Sequence, residues 1–320
     1  MSYRQLGKTD LKVKRVGFGG AEIGFENKSV DEVRDLLNSA LDDGLNVIDT
    51  AECYLSSEAL IGEAISHRRE EYYLFTKCGH KSGLDYPDWS SELINQSVYR
   101  SLNNLRTDYI DILHLHGCPR DVMEQTNIID SLIKIKESGA CRYIGYSGDG
   151  EDALYAIQSG VFDTLQTTIN IADQESVSFL LPAVEERNIG LIAKRPIANV
   201  AWIKGENEHK KYLQMLDMSS KLGKKLNIPP KAVVTYYDRL NKLNYDFSHL
   251  MKHEVELSNI ALRFTLSIPA VDIAIIGTTN PSRWKENEAY LLEGALPEEI
   301  YHYIRNRWEE VADPTWRAIN

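Results

Sequence analysis

The sequence predicts an α/β protein folded as one (β/α)8 TIM barrel. Short apolar β-rich runs alternate strictly with longer stretches of helical periodicity, and there are about eight such units. That order reads as a parallel sheet, and eight units close a barrel. An open doubly wound sheet is the alternative, but it calls for a G-x-G-x-x-G turn after its first strand. Gly17-Phe18-Gly19-Gly20-Ala21 does not supply one. A chain of 320 residues has the length for two domains, yet α/β barrels commonly use this much as a single unit. Residues 1–320 are therefore read as one barrel domain.

In chain order, the expected strands are Val13–Gly19, Asn46–Ala51, Tyr72–Cys78, Tyr109–His116, Arg142–Ser147, Thr164–Asn170, Gly190–Pro196 and Val271–Thr278. Expected helices lie near Val30–Asp43, Ser57–Ser66, Ser91–Leu105, Asn127–Ser138, Glu151–Ser159 and Gln174–Arg187. Ile128, Ile129, Leu132 and Ile135 make one helical face, and Gly139 stands where a left-handed C-terminal cap belongs. One insertion, at about 197–256 after strand 7, breaks the period, because barrel loops are usually far shorter. It holds Trp202, a Lys-rich helical segment near Tyr212–Leu226, Pro229-Pro230 and an aromatic, charged piece. Loops after barrel strands lie on the catalytic face, so this insertion is expected to cover the pocket. A helix near Leu257–Leu266 precedes the last strand, and one near Glu298–Ala312 ends the fold.

Composition narrows the function. Lys and Arg number 36 against 47 Asp and Glu, a formal charge of −11, which argues against holding a polyanion such as nucleic acid. A small anion held by a few local cations is not excluded. No run reaches the roughly 18 apolar residues of a membrane span, and the N-terminus lacks a signal-peptide core. Cys53, Cys78, Cys118 and Cys141 form no C-x-x-C pair, so neither a zinc site nor a disulfide framework is expected. A cytoplasmic protein is expected.

Chemistry is expected at the C-terminal ends of the strands. Strand 2 ends Val47-Ile48-Asp49 with Tyr54 just beyond, strand 3 ends Thr76-Lys77, and strand 4 ends His114-Leu115-His116. A buried Asp–Lys pair is costly unless something uses it. A phenol with a pKa near 10 is a weak acid at neutrality, and a nearby ammonium lowers that value. Lys77 is therefore expected to acidify Tyr54, with Asp49 holding Lys77 charged and His116 orienting a carbonyl oxygen. One acid, one orienting donor and a hydride-supplying cofactor constitute carbonyl reduction. No metal is called for. His114, two residues from His116, points the same way but lacks a third ligand.

These residues resemble the aldo-keto reductase superfamily. Asp49-Thr50-Ala51-x-x-Tyr54 with Ser57-Glu58 and Ile61-Gly62 is similar to its first signature. Tyr109-Ile110-Asp111 leading to Leu115-His116 is similar to the second, and Ile276-Gly277 leading to Pro281, Arg283, Glu286 and Asn287 to the third. The resemblance extends from about Tyr3 to Glu299. It implies a catalytic tetrad of Asp49, Tyr54, Lys77 and His116, with Tyr54 the general acid. It also implies a nicotinamide dinucleotide across the barrel mouth. Ser147 and Gln166 would hold the carboxamide, and Gly277, Thr278, Arg283, Glu286 and Asn287 the adenosine end. A guanidinium pairs with a 2′-phosphate through charge-assisted bonds, so Arg283 favours NADPH/NADP+, with NADH admitted as well.

Several positions depart from the family pattern. Gly148 replaces the usual Asn after Ser147, Leu55 replaces a frequent Gly, and Gly277 a common Lys. Strand 7 ends Ala193-Lys194-Arg195-Pro196 in place of an aromatic followed by Ser. Arg195 could stack on the nicotinamide ring, and Lys194 could contact the pyrophosphate. Trp89 and Trp202 are candidate substrate walls, with Tyr86 and Trp316 further candidates. The substrate expected is a small carbonyl or alcohol. The alternatives are a nicotinamide-binding regulatory subunit with weak reductase activity and a Schiff-base aldolase using Lys77. The cysteines flanking the tetrad read as small buried apolar residues rather than a redox device. The sequence sets neither the reaction direction nor the oligomeric state.

Overall fold

The barrel closes because its strands carry apolar side chains on both faces. In a computed structural model, which describes residues 3–203, 205, 235–250, 255–313 and 316, ten strands form. An antiparallel hairpin of β1 (Tyr3–Gln5) and β2 (Lys12–Lys14) precedes the barrel. The barrel strands are β3 (Val16–Gly19), β4 (Val47–Asp49), β5 (Tyr73–Cys78), β6 (Ile110–His116), β7 (Cys141–Ser147), β8 (Thr164–Thr168), β9 (Gly190–Lys194) and β10 (Ile273–Gly277). They pair in parallel in sequence order, and β10 returns to β3 to close the ring.

Strand parity places the site. Val47, Phe75, Ile112, Ile192, Ile273 and Ile275 cluster inside the barrel with Leu6, Leu11 and Val13 of the hairpin, which plugs its N-terminal end. The intervening residues, such as Ile48, Leu74, Leu113, Ile144, Leu165 and Leu191, pack outward under the helices. Side chains alternate with period two. Stepping two residues from Val47, Phe75, Ile112 and Ile192 therefore brings Asp49, Lys77, His114 and Lys194 onto the interior face. The same step continues to His116.

The helices follow the expected spans closely. Ser29 and Glu32 form a reciprocal capping box before Val30–Asp42, and Gly139 adopts φ 83° after Ile128–Glu137, as the cap reading requires. Two differences have physical causes. The expected Val13–Gly19 strand divides at Arg15, because the chain leaves the hairpin there and enters the barrel. The expected Gln174–Arg187 helix divides into Glu175–Phe179 and Leu181–Glu186, with Pro182 opening the second, where a missing N–H costs nothing. Within the insertion, Tyr236–Leu243 forms a helix whose buried Arg239 pairs with Asp173 at 2.7 Å. The Lys-rich segment near Tyr212–Leu226 and Pro229-Pro230 lies outside the described residues. Helices Leu257–Ser267, Pro281–Leu292 and Glu298–Val311 complete the chain. No helix among the described residues is long and apolar enough to cross a membrane.

Candidate active site

Four strand ends meet around one buried ion pair. The Lys77 ammonium donates to Asp49 Oδ2 at 2.6 Å and to the Thr50 carbonyl at 2.8 Å. Gln166 Nε2 reaches across the barrel to donate to Asp49 Oδ1 at 2.9 Å, and Ser147 Oγ donates to Gln166 Oε1 at 3.0 Å. β7, β8, β4 and β5 are thus joined by one chain of hydrogen bonds that keeps both charges satisfied. Burial works against the ammonium, but the Asp49 carboxylate outweighs it, so Lys77 lies above its ordinary value and stays charged. Burial also pushes Asp49 upward, against the pull of Lys77.

Tyr54 stands over this pair on the turn after β4. Its ring centroid is 5.0 Å from Lys77 Nζ, 5.7 Å from the Phe25 ring and 6.3 Å, edge to face, from His116. The turn is tight. Leu55 takes a left-handed φ of 50°, and a Cβ on Gly24 would come within 2.1 Å of the Tyr54 carbonyl. The expected acidification is not the net result. Burial pushes the Tyr54 phenol up, Lys77 pulls it down, and burial prevails. The lysine's hydrogen bonds go to Asp49 and Thr50, so it acts on the phenol through space.

His116 ends β6 half-buried, with Nδ1 3.6 Å from Cys53 Sγ and its carbonyl accepting from Trp89 Nε1 at 2.9 Å. Burial first, then the Lys77 charge, hold its pKa well below the ordinary histidine value, so the ring is neutral. His80 packs edge-on at 4.9 Å from it and 5.5 Å from Trp89. Glu52 anchors this corner, accepting from the Gly79 and His80 amides at 2.9 and 3.0 Å. Burial pushes Glu52 up to about 7. Neither Glu52 nor His80 stood out in the sequence, although Glu52 lies inside the Asp49–Tyr54 motif. His114 is buried with Nε2 3.2 Å from Thr164 Oγ1, an interior hydrogen-bonded residue as expected.

On the other flank, Lys194 pairs with Asp149 at 2.9 Å. Asp149 also accepts from the Thr168 amide and the Thr167 hydroxyl, both at 2.7 Å. Sequence reading passed over Asp149, though an acid two residues beyond the Ser147 strand end was the available signal. Arg195 takes a left-handed φ of 56°, and its Nη1 is buried without a hydrogen-bond partner among the described residues. Asn170 Nδ2, just beyond β8, is likewise orphaned. Both donors lie at the mouth, where an acceptor-rich ligand such as a dinucleotide could engage them; Tyr236 neighbours Arg195 there, and Trp284 and Trp316 carry unpartnered ring N–H groups elsewhere among the described residues. Gly148 has a steric reason: a Cβ there would lie 2.6 Å from the Tyr146 ring, whose hydroxyl is bonded to the Cys118 carbonyl.

At the β10 end, any side chain at Gly277 would collide with the Glu22 carboxylate. Thr278 and Asn287 are buried, while Arg283 and Glu286 are exposed on Pro281–Leu292. The Asn280 side chain caps that helix by accepting from the Ser282 amide at 2.9 Å. Trp89 belongs to the His80–His116 corner, whereas Trp202 packs with Ala172, Ala198, Ala201 and Tyr236 beyond β8 and β9. Trp316 is no pocket wall; it is buried against Trp308 and Leu243. Burial pushes the thiols of Cys53 and Cys118 up to about 11 and 12 and raises Cys78 well above its ordinary value, the reverse of an activated cysteine.

A closed parallel barrel with titratable groups converging at its C-terminal mouth defines an enzyme barrel. Residues 15–309 match the model of the aldo/keto reductase family, and the chain belongs to that family of oxidoreductases. It is 26% identical over 331 aligned residues to an L-galactose dehydrogenase of Arabidopsis thaliana, covering 98% of this chain and 96% of that protein. It is 29% identical over 255 residues to an NADH-specific methylglyoxal reductase of Escherichia coli, covering 67% of this chain and 77% of that one. The holo form of an aldo-keto reductase from Bacillus halodurans shares its fold, with a TM-score of 0.75, 23% identity and 96% of each chain covered.

Proposed function

We propose that this protein is an NADPH-dependent reductase of an aldehyde, ketone or open-chain sugar, with Tyr54 as general acid. The observation that carries the proposal is the buried Lys77–Asp49 pair, 2.6 Å apart beneath the Tyr54 ring. A reduced nicotinamide supplies the hydride when bound. The protein's own task is to bind and polarise the carbonyl and to deliver one proton. Neutral His116 donates a hydrogen bond to the carbonyl oxygen. Tyr54 gives its proton to that oxygen as negative charge develops, and Lys77 stabilises the resulting phenolate. Solvent then returns a proton to Tyr54. Asp49 keeps Lys77 charged, and Gln166 keeps Asp49 in place.

Burial keeps the Tyr54 phenol protonated at neutral pH, the form that reduction uses as its acid. Alcohol oxidation uses the phenolate as base, and the substrate and cofactor ratios set the net direction. Ser147, Gln166 and the orphaned donors of Asn170 and Arg195 would hold the nicotinamide end. Lys194 would meet the pyrophosphate, and Thr278, Arg283, Glu286 and Asn287 the adenosine end, with Arg283 selecting the 2′-phosphate. The insertion at about 197–256 would cover the mouth of a single barrel domain.

A tryptophan-fluorescence titration with NADPH and NADH, followed by a panel of aldehydes, ketones and sugars with the better cofactor, tests the reading. Saturable quenching that is tighter for NADPH, and turnover of at least one class, are expected. Equal or absent quenching by both removes the role of Arg283. Binding without any turnover favours a regulatory subunit instead.

A further inference from the structure

His116 presents its two ring nitrogens to different surroundings. Nδ1 faces Cys53 Sγ at 3.6 Å, and the ring stands edge to face with Tyr54 and His80. A neutral imidazole has one N–H, and the group bonded to one nitrogen decides which nitrogen holds it. We infer that Cys53 is a positioning residue: its thiol donates to His116 Nδ1 and fixes the Nε2–H tautomer, leaving that N–H for a ligand oxygen. The inference rests on the proposed role of His116 as donor to the carbonyl.

Three arguments support this direction of donation. Burial keeps the thiol protonated and the imidazole neutral, so neither a thiolate nor an imidazolium competes. Sulfur is a weak acceptor, whereas an imidazole nitrogen with a free lone pair is a good one, so the thiol serves better as donor. The opposite tautomer would set the Nε2 lone pair against the lone pairs of a carbonyl oxygen. The geometry is also held on both sides. The Glu52 amide donates to the Lys77 carbonyl at 3.3 Å, and its carboxylate is tied to Gly79 and His80. Cys53 therefore sits between two fixed residues, Glu52 and Tyr54. Trp89 pins the backbone of His116 from the other side.

The test uses the full-length protein with 15N-labelled histidine. Long-range proton–nitrogen correlation spectra are recorded for wild type, C53S and C53A, and the His116 signals are assigned by their loss in H116N. The expected result is Nε2–H in wild type and C53S, with a mixed or inverted tautomer in C53A. In parallel, kcat for the best carbonyl of the panel with NADPH should fall about five- to tenfold in C53A, the worth of one modest hydrogen bond. C53S should restore it, with the NADPH Kd unchanged throughout. An Nδ1–H tautomer in wild type, or an unaltered tautomer in C53A, overturns the inference, and the wild-type spectrum decides even if C53A does not fold. The expected spectra from a protein that reduces no carbonyl would leave the inference standing and remove the proposed function.

Discussion

Replacing Lys77 by Met keeps much of the side-chain volume and removes the charge beneath Tyr54. At 5.0 Å from the ring centroid and an effective dielectric constant of about 20, that charge stabilises phenolate by about 3 kcal/mol, or roughly two pKa units. With Brønsted coefficients of about 0.5 to 1, a phenol weaker by two units slows proton transfer roughly 10- to 100-fold. The same substitution leaves Asp49, 4% exposed, without its cation, a loss of about 3–5 kcal/mol of stability. The double variant D49N/K77M removes the stranded charge, and the amide oxygen it places at position 49 can still accept from Gln166. It should recover most of the stability while kcat stays low. Steady-state NADPH oxidation with the best carbonyl of the panel, alongside denaturant unfolding, separates the two effects. A K77M variant within about twofold of wild-type kcat, or a double variant that regains activity together with stability, refutes the through-space role of Lys77.

Other regions give independent outcomes. The Glu52 pKa lies above its ordinary value of 4.5, at about 7, so the folded chain binds more protons than the unfolded chain between those limits. Stability therefore falls as pH rises through that window, and E52Q should gain about 1–3 kcal/mol at pH 8 and little at pH 5 in urea melts. Arg283 is exposed on the helix after β10, and R283A should weaken NADPH about tenfold while leaving NADH nearly unchanged, read by fluorescence titration. G148A sets a methyl 2.6 Å from the Tyr146 ring and should cost about 1–3 kcal/mol by thermal unfolding, with the Tyr146–Cys118 bond disturbed.

The barrel was legible because short apolar strand runs, whose successive side chains take opposite faces, and the helical periodicity between them are local signals. The same parity carried Asp49, Lys77 and His116 to one face, so the cluster could be read without knowing any distance. What stayed hidden depends on contacts across the fold. Gln166 reaching Asp49 spans 117 positions, and no local pattern announces it. The sign of the Tyr54 shift depends on how much water the fold removes, which a neighbouring charge in the sequence does not tell. Gly148 reads only as a replacement of the family's usual Asn, yet a Cβ there would meet the Tyr146 ring at 2.6 Å. The Arg15 and Pro182 breaks show the same limit at element boundaries, where the hydrogen bonding changes inside a span that reads as one element.

The central claim is that Tyr54 delivers the proton in a nicotinamide-linked carbonyl reduction. Its most direct test is single-turnover reduction of the best carbonyl found in the substrate panel by the NADPH-loaded Y54F variant, which keeps the ring against Phe25 and His116 and removes only the hydroxyl. The account predicts loss of at least roughly 10²-fold in the hydride-transfer rate at an unchanged NADPH Kd. Turnover close to wild type in that variant would contradict it.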